Sequence, residues 1–413
     1  MAAPSESSSS ILRQPKAVWA VAFAMTVAFM GASVVDPIMP SIAEALNAGE
    51  SQVTLLFTGY FLVVSIIMLF TGWISSRIGT RKTILAGMAI IVLFAVLSGT
   101  SSGIGQLVGF RMGWGVGIAL FVSTALAAIV GAASGGRAQA IVLFESSFGL
   151  GMAVGPIVGA ALGNANWRYP FFGTATLVAV GFIAVLAMLR EEPKPKVKLK
   201  VSHTFHPLRH RALRPLIIAT TVYFYGFFTI LGYGPFPLHM STYGTGAVFF
   251  GWGVAFAIFS VIVAPRVEAR FGMIPVLVTS LLLFTLDMVA MAFAHGPLFA
   301  ALLIASGIFI GINNAALTGS VMASSNMSGQ VVSGGYNFLR WFGAAASPWC
   351  APHLADALGG WAPFCAAGLS SLIAVFVILR ARRHLTHGGH GETVVASSAQ
   401  EAHAELQTAN AVS

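Results

Sequence analysis

The chain has 413 residues, of which 57% are hydrophobic and only 8% are charged. Soluble domains carry roughly 25% charged residues, so this composition excludes a soluble globular protein and indicates a polytopic membrane protein. The formal net charge of +9 does not indicate nucleic-acid binding, because the basic residues lie beside apolar segments, where they set membrane topology.

Apolar segments long enough to span a bilayer as helices occur about twelve times along the chain. They lie at about 17–38, 53–75, 83–101, 104–130, 138–163, 168–189, 215–238, 246–265, 273–294, 297–321, 331–352 and 360–380. A basic connection, 190–214, separates six spans (17–189) from six others (215–380), and polar segments occupy 1–16 and 381–413. We predict an all-α membrane protein of two six-helix bundles, with a cytoplasmic N-terminal tail and a disordered C-terminal tail.

The basic residues predict the orientation in the membrane. Arg168 is placed outside and Arg111 and Arg340 lie within spans, whereas the other 19 of the 22 lysines and arginines fall on the side of both termini. Because cytoplasmic loops carry the excess of lysine and arginine, both termini are predicted to lie on the cytoplasmic side of a bacterial inner membrane. The histidines of the C-terminal tail are scattered and lack neighbouring cysteines, so neither a metal nor a cofactor is predicted.

The two sets of six spans repeat each other. When Pro156 of the fifth span is aligned with Pro348 of the eleventh, small residues fall at equivalent positions in both. These are Gly151, Gly155, Gly159 and Gly163 in one span and Gly343, Ser347, Ala351 and Ala355 in the other. Arg77-Ile-Gly79 and Arg270-Phe-Gly272 recur after the second and eighth spans. These matches indicate a duplicated six-helix unit with a site at the interface of its two copies.

Glycine recurs at every fourth position of the fifth span. Residues four apart share one helix face, and small residues let a second helix approach closely in a membrane. We predict that this stripe and its counterpart in the eleventh span form sliding contacts between the two halves. The proposed gate residues on this span are Gly151, Gly155, Pro156 and Gly159.

Five ionisable residues lie within spans, namely Asp36, Arg111, Glu145, Asp287 and Arg340. A charge at the bilayer centre costs about 2.5–3.5 kcal/mol on insertion scales, so such residues usually face a cavity or pair with one another. Asp36 and Glu145 are the predicted proton carriers, with Arg111 modulating them. The alternative is a structural ion pair, or a group wetted near the headgroups.

Polar and aromatic residues of the second half are candidates for a substrate cavity. Tyrosine combines an apolar ring with a hydroxyl, which suits amphipathic ligands, although lipid-facing tyrosines look the same in sequence. Adjacent amides such as Asn313 and Asn314 point about 100° apart on a helix, so at most one of them is expected to face the cavity. The predicted cavity residues are Tyr223, Tyr225, Asn313, Asn337 and Arg340.

The segment after the second span resembles the signature of the major facilitator superfamily, G-x-L-A-D-R-x-G-R-K-x-x-L. It matches this signature at Gly72, Arg77, Gly79 and Arg81. The resemblance implies a gate role for these four residues at the cytoplasmic ends of the halves. Ser76 replaces the aspartate that helps to form the cytoplasmic latch in the family. The latch is therefore expected to be weaker here, or to be made otherwise, by Glu268 or a helix end.

Two further segments resemble the twelve-helix drug:proton antiporters of that superfamily. Arg111-Met-Gly-Trp-Gly-Val-Gly117 is similar to R-x-x-Q-G-x-G, with Trp114 in place of glutamine. The run from Gly151 to Ala160 is similar to G-x-x-x-G-P-x-x-G-G. The resemblance covers about residues 17 to 380 and implies the major facilitator fold and alternating access between two pseudo-symmetric bundles.

Taken together, these features predict a monomeric secondary active transporter that exchanges protons for a small amphipathic organic compound, a drug or a metabolite, and exports it. One alternative is a symporter or uniporter that imports an organic anion, with Arg111 and Arg340 as the anion clamp. A polytopic membrane enzyme or sensor is disfavoured, because the sequence shows no nucleophile–base pair, nucleotide loop or metal-ligand set. The expected partners are the substrate, protons and the lipid bilayer, with no nucleic acid.

Overall fold

The computed structural model describes residues 14–132, 136–190, 201, 213–323 and 329–387. Within these residues the secondary structure is helical. The α-helices are α1 (Lys16–Ser33), α2 (Met39–Ala45), α3 (Glu50–Ile78), α4 (Thr80–Thr100), α5 (Ile104–Ala132), α6 (Gly136–Gly163), α7 (Tyr169–Met188), α8 (Leu213–Tyr233), α9 (Thr242–Ile258), α10 (Ala264–Phe271), α11 (Met273–Phe293), α12 (Gly296–Ala323), α13 (Gly329–Leu358) and α14 (Ala362–His387). Most of the predicted linker and both tails lie outside the described residues, although α14 extends past the predicted boundary at 380.

Two predicted spans are each built from two helices. A 3₁₀ turn at Asp36–Ile38 joins α1 to α2, and a π-helical segment at Phe259–Val263 joins α9 to α10. Pro37 lies in the first turn of the 3₁₀ segment, and Pro265 lies in the first turn of α10. Proline lacks a backbone donor and is accommodated where a helix starts, so each proline marks a change of helix geometry within one span.

Eleven helical segments among the described residues are long and apolar enough to cross a membrane. They account for every predicted span except the eleventh, which corresponds to α13. This helix is 30 residues long and contains Pro348 and Pro352. The prediction of an all-helical membrane protein with about twelve spans is therefore confirmed.

The repeated Arg-x-Gly segments adopt the same backbone conformation in the two halves. Gly79 ends α3 at φ 95°, and Gly272 ends α10 at φ 83°. Glycine takes positive φ without steric penalty, so each glycine allows a sharp reversal into the next helix. The guanidinium of Arg81 then donates to the carbonyl of Leu186 on α7 at 2.7 Å, which ties this turn to its own half.

The two halves meet along two helix pairs that are equivalent under the repeat. In the first pair α3 packs against α13, and in the second α6 packs against α9. Within the halves, α4 packs against α5 and α7, while α11 packs against α12 and α14. The interface is therefore built from the second, fifth, eighth and eleventh spans.

Aromatic rings from both halves meet at the centre of the bundle. The ring of Phe61 on α3 lies 5.3 Å from Trp341 on α13 and 4.5 Å from Phe228 on α8, measured between centroids. On the other side, Phe148 of α6 lies 5.3 Å from Phe256 of α9. Such offset and edge-on contacts add about 0.5–1.5 kcal/mol beyond area burial. The apolar core thus runs continuously across the interface.

The glycine stripe of α6 does not contact the other half, so the prediction of a sliding contact there is wrong. A Cβ atom at Gly151 would meet the carbonyl oxygen of Thr26, and one at Gly159 would meet that of Val34. Both partners belong to the first span of the same half. In the second half, a Cβ at Gly343 would likewise meet the carbonyl of Thr221 on α8. The stripes bring helices together within each half, because their faces point inward rather than at the interface.

A neighbouring face of α6 makes the close approach to α9. A Cβ atom built on Gly246 would lie 3.0 Å from the carbonyl oxygen of Pro156 and 2.5 Å from the Cβ of Ala160. One built on Gly253 would meet the backbone of Ala153. Of the predicted gate residues on this helix, Pro156 is thus at the interface between the halves.

Candidate transport site

The side chain of Glu145 connects the two halves of the molecule. It projects from α6 and is 5% exposed. Its Oε2 accepts a hydrogen bond of 2.9 Å from Nδ2 of Asn314, which lies on α12 in the other half. Among the described residues, Oε1 of Glu145 and Oδ1 of Asn314 have no hydrogen-bond partner. Unpaired buried polar atoms are uncommon in proteins, so this contact has the features of a binding site.

Arg340 of α13 places a positive charge beside the same carboxylate. Its side chain is 6% exposed and interacts electrostatically with Glu145. Nη1 donates to Oγ1 of Thr318 at 3.3 Å, and that hydroxyl lies 3.2 Å from the hydroxyl of Tyr336. The guanidinium carbon is 4.5 Å from the centre of the Phe224 ring. A cation over an aromatic face is favourable, so Arg340 is held by polar and aromatic contacts at once.

The remaining predicted cavity residues are distributed around this centre. Tyr223 is fully buried, and its hydroxyl donates to the carbonyl of Ile310 on α12 at 3.3 Å. Asn313 is also fully buried and neighbours Tyr223. Asn337 is half-buried, one turn before Arg340 on α13. Tyr225 is half-buried near Cys350, on another side of α8, so it does not join the cluster.

The sequence prediction chose Asn313 for the cavity and missed Asn314. The structure places both amides inside the protein, but Asn314 is the one that reaches Glu145. Asn314 and Thr318 are four residues apart and therefore share a helix face. That spacing between two polar residues in an apolar span was a signal that could have identified Asn314.

Asp36 and Arg111 form a second buried cluster within the first half. Both are at most 1% exposed, and Arg111 is the charged group that acts on Asp36. Nη1 of Arg111 donates to the carbonyl of Gly31 at 3.3 Å, and its guanidinium carbon lies 4.6 Å from the Tyr60 ring and 4.7 Å from the Trp114 ring. The carboxylate oxygens of Asp36 have no hydrogen-bond partner in the part of the chain that is described. The three predicted proton-coupling residues are thus divided between two clusters.

Trp114 is a site residue that motif comparison alone undervalued. It occupies the glutamine position of the family pattern and is fully buried against Arg111. Its indole ring also lies 6.4 Å from the ring of Phe171 on α7. An aromatic face in place of an amide holds the guanidinium through a cation–π contact.

Asp287 and the signature residues that follow the second span lie apart from both clusters. Asp287 is buried on α11, which packs against α12 and α14 at the edge of its half. Ser76 donates to the carbonyl of Trp73 within its own helix at 2.9 Å, and the Arg77 guanidinium covers the Trp73 ring at 4.4 Å. Among the described residues, no group of three potential metal ligands comes together. The histidines of the C-terminal tail either lie outside the described residues or have side chains that are not described.

The sequence profile of the Major Facilitator Superfamily matches residues 21–348. This chain belongs to the Major Facilitator Superfamily. It is also 43% identical over 377 residues to the "Multidrug efflux protein YfmO" of Bacillus subtilis (strain 168), covering 91% of this chain and 95% of that protein. The matched region and the two-half fold agree, so the superfamily prediction is confirmed. Membership places the chain among multi-pass membrane transporters rather than enzymes.

Solved structures of the superfamily share the fold of this member. The crystal structure of the human organic anion transporter MFSD10 (TETRAN) superposes with a TM-score of 0.71 at 19% identity, covering 88% of this chain and 99% of that one. The crystal structure of a D-xylose–proton symporter gives a TM-score of 0.72 at 15% identity, covering 88% and 96%. At these identities the likeness establishes the major facilitator fold and leaves the substrate open.

Proposed function

We propose that this superfamily member is a proton-coupled exporter of small amphipathic organic compounds, with Glu145 as the principal proton carrier. The observation that carries the proposal is the buried hydrogen bond between Glu145 and Asn314 across the two halves. The similarity to a Bacillus multidrug efflux protein over nearly the whole chain supports the export of drug-like compounds.

The Glu145–Asn314 contact offers a physical means of coupling protons to movement. An ionised carboxylate accepts a hydrogen bond about twice as strong as a neutral group does. Protonation of Glu145 therefore weakens the connection between α6 and α12 and favours separation of the halves there. Protonation of Glu145 thereby drives the change of conformation that moves the substrate, and one proton moving through 100 mV supplies about 2.3 kcal/mol.

The Asp36–Arg111 cluster is proposed as a second proton site. Arg111 is held by the Gly31 carbonyl and by the Tyr60 and Trp114 rings. Because Asp36 lies at the 3₁₀ turn that joins α1 to α2, a change in its charge acts where the first span changes helix geometry.

A transport assay with matched carboxylate variants tests the role of Glu145. Glu145→Gln keeps the size and hydrogen-bonding capacity of the side chain but removes its ionisation, so we expect proton-driven efflux from proteoliposomes to fall by at least about tenfold, within the range for a lost charge-assisted contact. Binding of substrate in the absence of a proton gradient should persist. Asp287→Asn is the control, because Asp287 is equally a buried carboxylate but lies at the periphery.

The same vesicles distinguish export by exchange from import of an organic anion by symport. In exchange, substrate and protons cross the membrane in opposite directions, whereas in symport they cross it in the same direction. Unchanged efflux in Glu145→Gln would refute the proton role of Glu145, and a pH change of the symport sign would replace the exporter by the alternative.

A further inference from the structure

The charges around Glu145 are balanced, and this balance bears on which compounds the site accepts. Glu145 contributes one carboxylate and Arg340 one guanidinium, and both are at least nine-tenths buried. Glu145 accepts from Asn314, and Arg340 donates to Thr318 one turn further along α12. Each nevertheless keeps an unpaired atom, Oε1 of Glu145 and Nε of Arg340, among the described residues. A site with both charges holds little net charge but still offers one acceptor and one donor to a ligand.

The surroundings of these two groups are aromatic. The guanidinium carbon of Arg340 lies 4.5 Å from the centre of the Phe224 ring and 5.8 Å from the centre of the Trp341 ring. Trp341 in turn stacks on Phe61 from the other half, with 26° between the ring planes. Flat apolar rings next to an acceptor and a donor match a flat aromatic compound that carries a donor and an acceptor of its own.

We propose that Arg340 is a specificity-determining residue that makes the site select uncharged aromatic compounds over organic cations. This rests on the proposed export function and names the substrate class of the same site. A cationic ligand drawn to Glu145 is repelled by Arg340, and in a low-dielectric interior that repulsion is poorly screened. An uncharged ligand donates to Oε1 of Glu145 and accepts from Nε of Arg340 without leaving either charge unbalanced.

The test uses two probes of nearly the same shape, one uncharged and one cationic. Acridone is an uncharged tricycle with an N–H donor and a carbonyl acceptor, and N-methylacridinium is a tricycle of similar size with a fixed positive charge. Equilibrium binding to the purified, detergent-solubilised full chain should favour acridone over N-methylacridinium by at least about tenfold, as one buried like-charge repulsion predicts.

Variants of Arg340 separate its charge from its packing. Arg340→Gln should weaken acridone binding and strengthen N-methylacridinium binding by about tenfold or more, whereas Arg340→Lys, which keeps the charge, should retain the preference of the wild-type protein. Arg168→Gln is the control, because Arg168 lies outside this site, at the start of α7 against the carbonyls of Gly99 and Ser101. Thermal unfolding of each variant checks that it is folded.

The possible outcomes separate the role proposed for Arg340 from the proposed export function. Equal binding of both probes by the wild-type protein, or a preference unchanged in Arg340→Gln, overturns the role of Arg340 and leaves the export function standing. Loss of the preference in Arg340→Lys as well assigns the effect to packing and also overturns it. If cells with and without the protein show the same resistance and neither probe binds, the proposed function itself fails.

Discussion

A single amide, Asn314, determines whether the carboxylate of Glu145 is paired. Its Nδ2 donates at 2.9 Å across the interface, and both side chains are buried. Glu145 has no carboxylate counterpart in the second half, where Asn337 stands at the position equivalent under the repeat. The two halves thus differ in charge at this position, and this asymmetry supports the coupling role proposed for Glu145.

We expect Asn314→Ala to destabilise the protein, because the substitution leaves the buried carboxylate without its donor. Hydrogen bonds to charged groups contribute about 1.5–3 kcal/mol, so the melting temperature in detergent should fall measurably. The double variant with Glu145→Ala should lose less than the sum of the two single effects, as expected for residues in direct contact.

The control for this cycle is Ser306→Ala, which removes a buried hydroxyl of α12 that bonds only within its own helix turn. Additive effects of Asn314→Ala and Glu145→Ala would mean that the bond across the interface does not contribute to stability.

At the scale of the helices, small residues serve two separate purposes. Those in the stripe of α6 bring the first span close within one half, and those on α9 bring α6 close across the interface. Both uses follow from the same physics, since association of helices in lipid depends on close van der Waals packing rather than on burial from water. The helix face on which a glycine lies decides whether it brings helices together within one half or across the interface between the halves.

We expect Gly253→Ala to weaken the α6–α9 contact, because its Cβ would meet the backbone of Ala153. Overpacking of a close contact costs about 1–3 kcal/mol, which exceeds the gain of about 0.5–1 kcal/mol from replacing glycine in a helix. The melting temperature of the variant and its transport rate in proteoliposomes should both decrease.

The matched control is Gly109→Ala on α5, where the built Cβ would meet no described atom within 4 Å apart from its own stretch of helix. This variant should keep or slightly raise the melting temperature. If Gly253→Ala behaves in the same way as Gly109→Ala, the close approach of α6 and α9 is not required.

Across the whole molecule, the duplicated unit gives the interface its symmetry. The contacts of α3 with α13 and of α6 with α9 repeat each other, and positive-φ glycines end α3 and α10 alike. Such a pair of equivalent contacts allows one half to rotate against the other while both remain packed.

The proposed orientation, with both termini in the cytoplasm, gives a direct prediction. Alkaline phosphatase folds only after export, so a fusion after Ser413 should be inactive and a fusion after Met240, in the segment between α8 and α9, should be active in a bacterial host. The excess of lysine and arginine on one side is the physical reason. The opposite pattern of activity would reverse the orientation and with it the direction assigned to transport.

The sequence by itself determined the class, the about twelve spans and the superfamily, because apolar segment length and the motif around Gly72–Arg81 are local properties of the chain. It also singled out the buried charges, since an ionisable residue in an apolar span is conspicuous. Only the tertiary structure decided that Glu145 meets Asn314, that Arg111 lies against Trp114, and that the glycine stripe faces its own half.

The reason is that such pairings depend on the rotation and tilt of each helix about its axis. In lipid, no general hydrophobic force selects one face of a helix over another, so periodicity alone leaves the rotation undetermined. Glu145 and Asn314 are 169 positions apart, and their contact is fixed by the packing of α6 on α9 and of α9 on α12. That chain of contacts exists only in the folded protein.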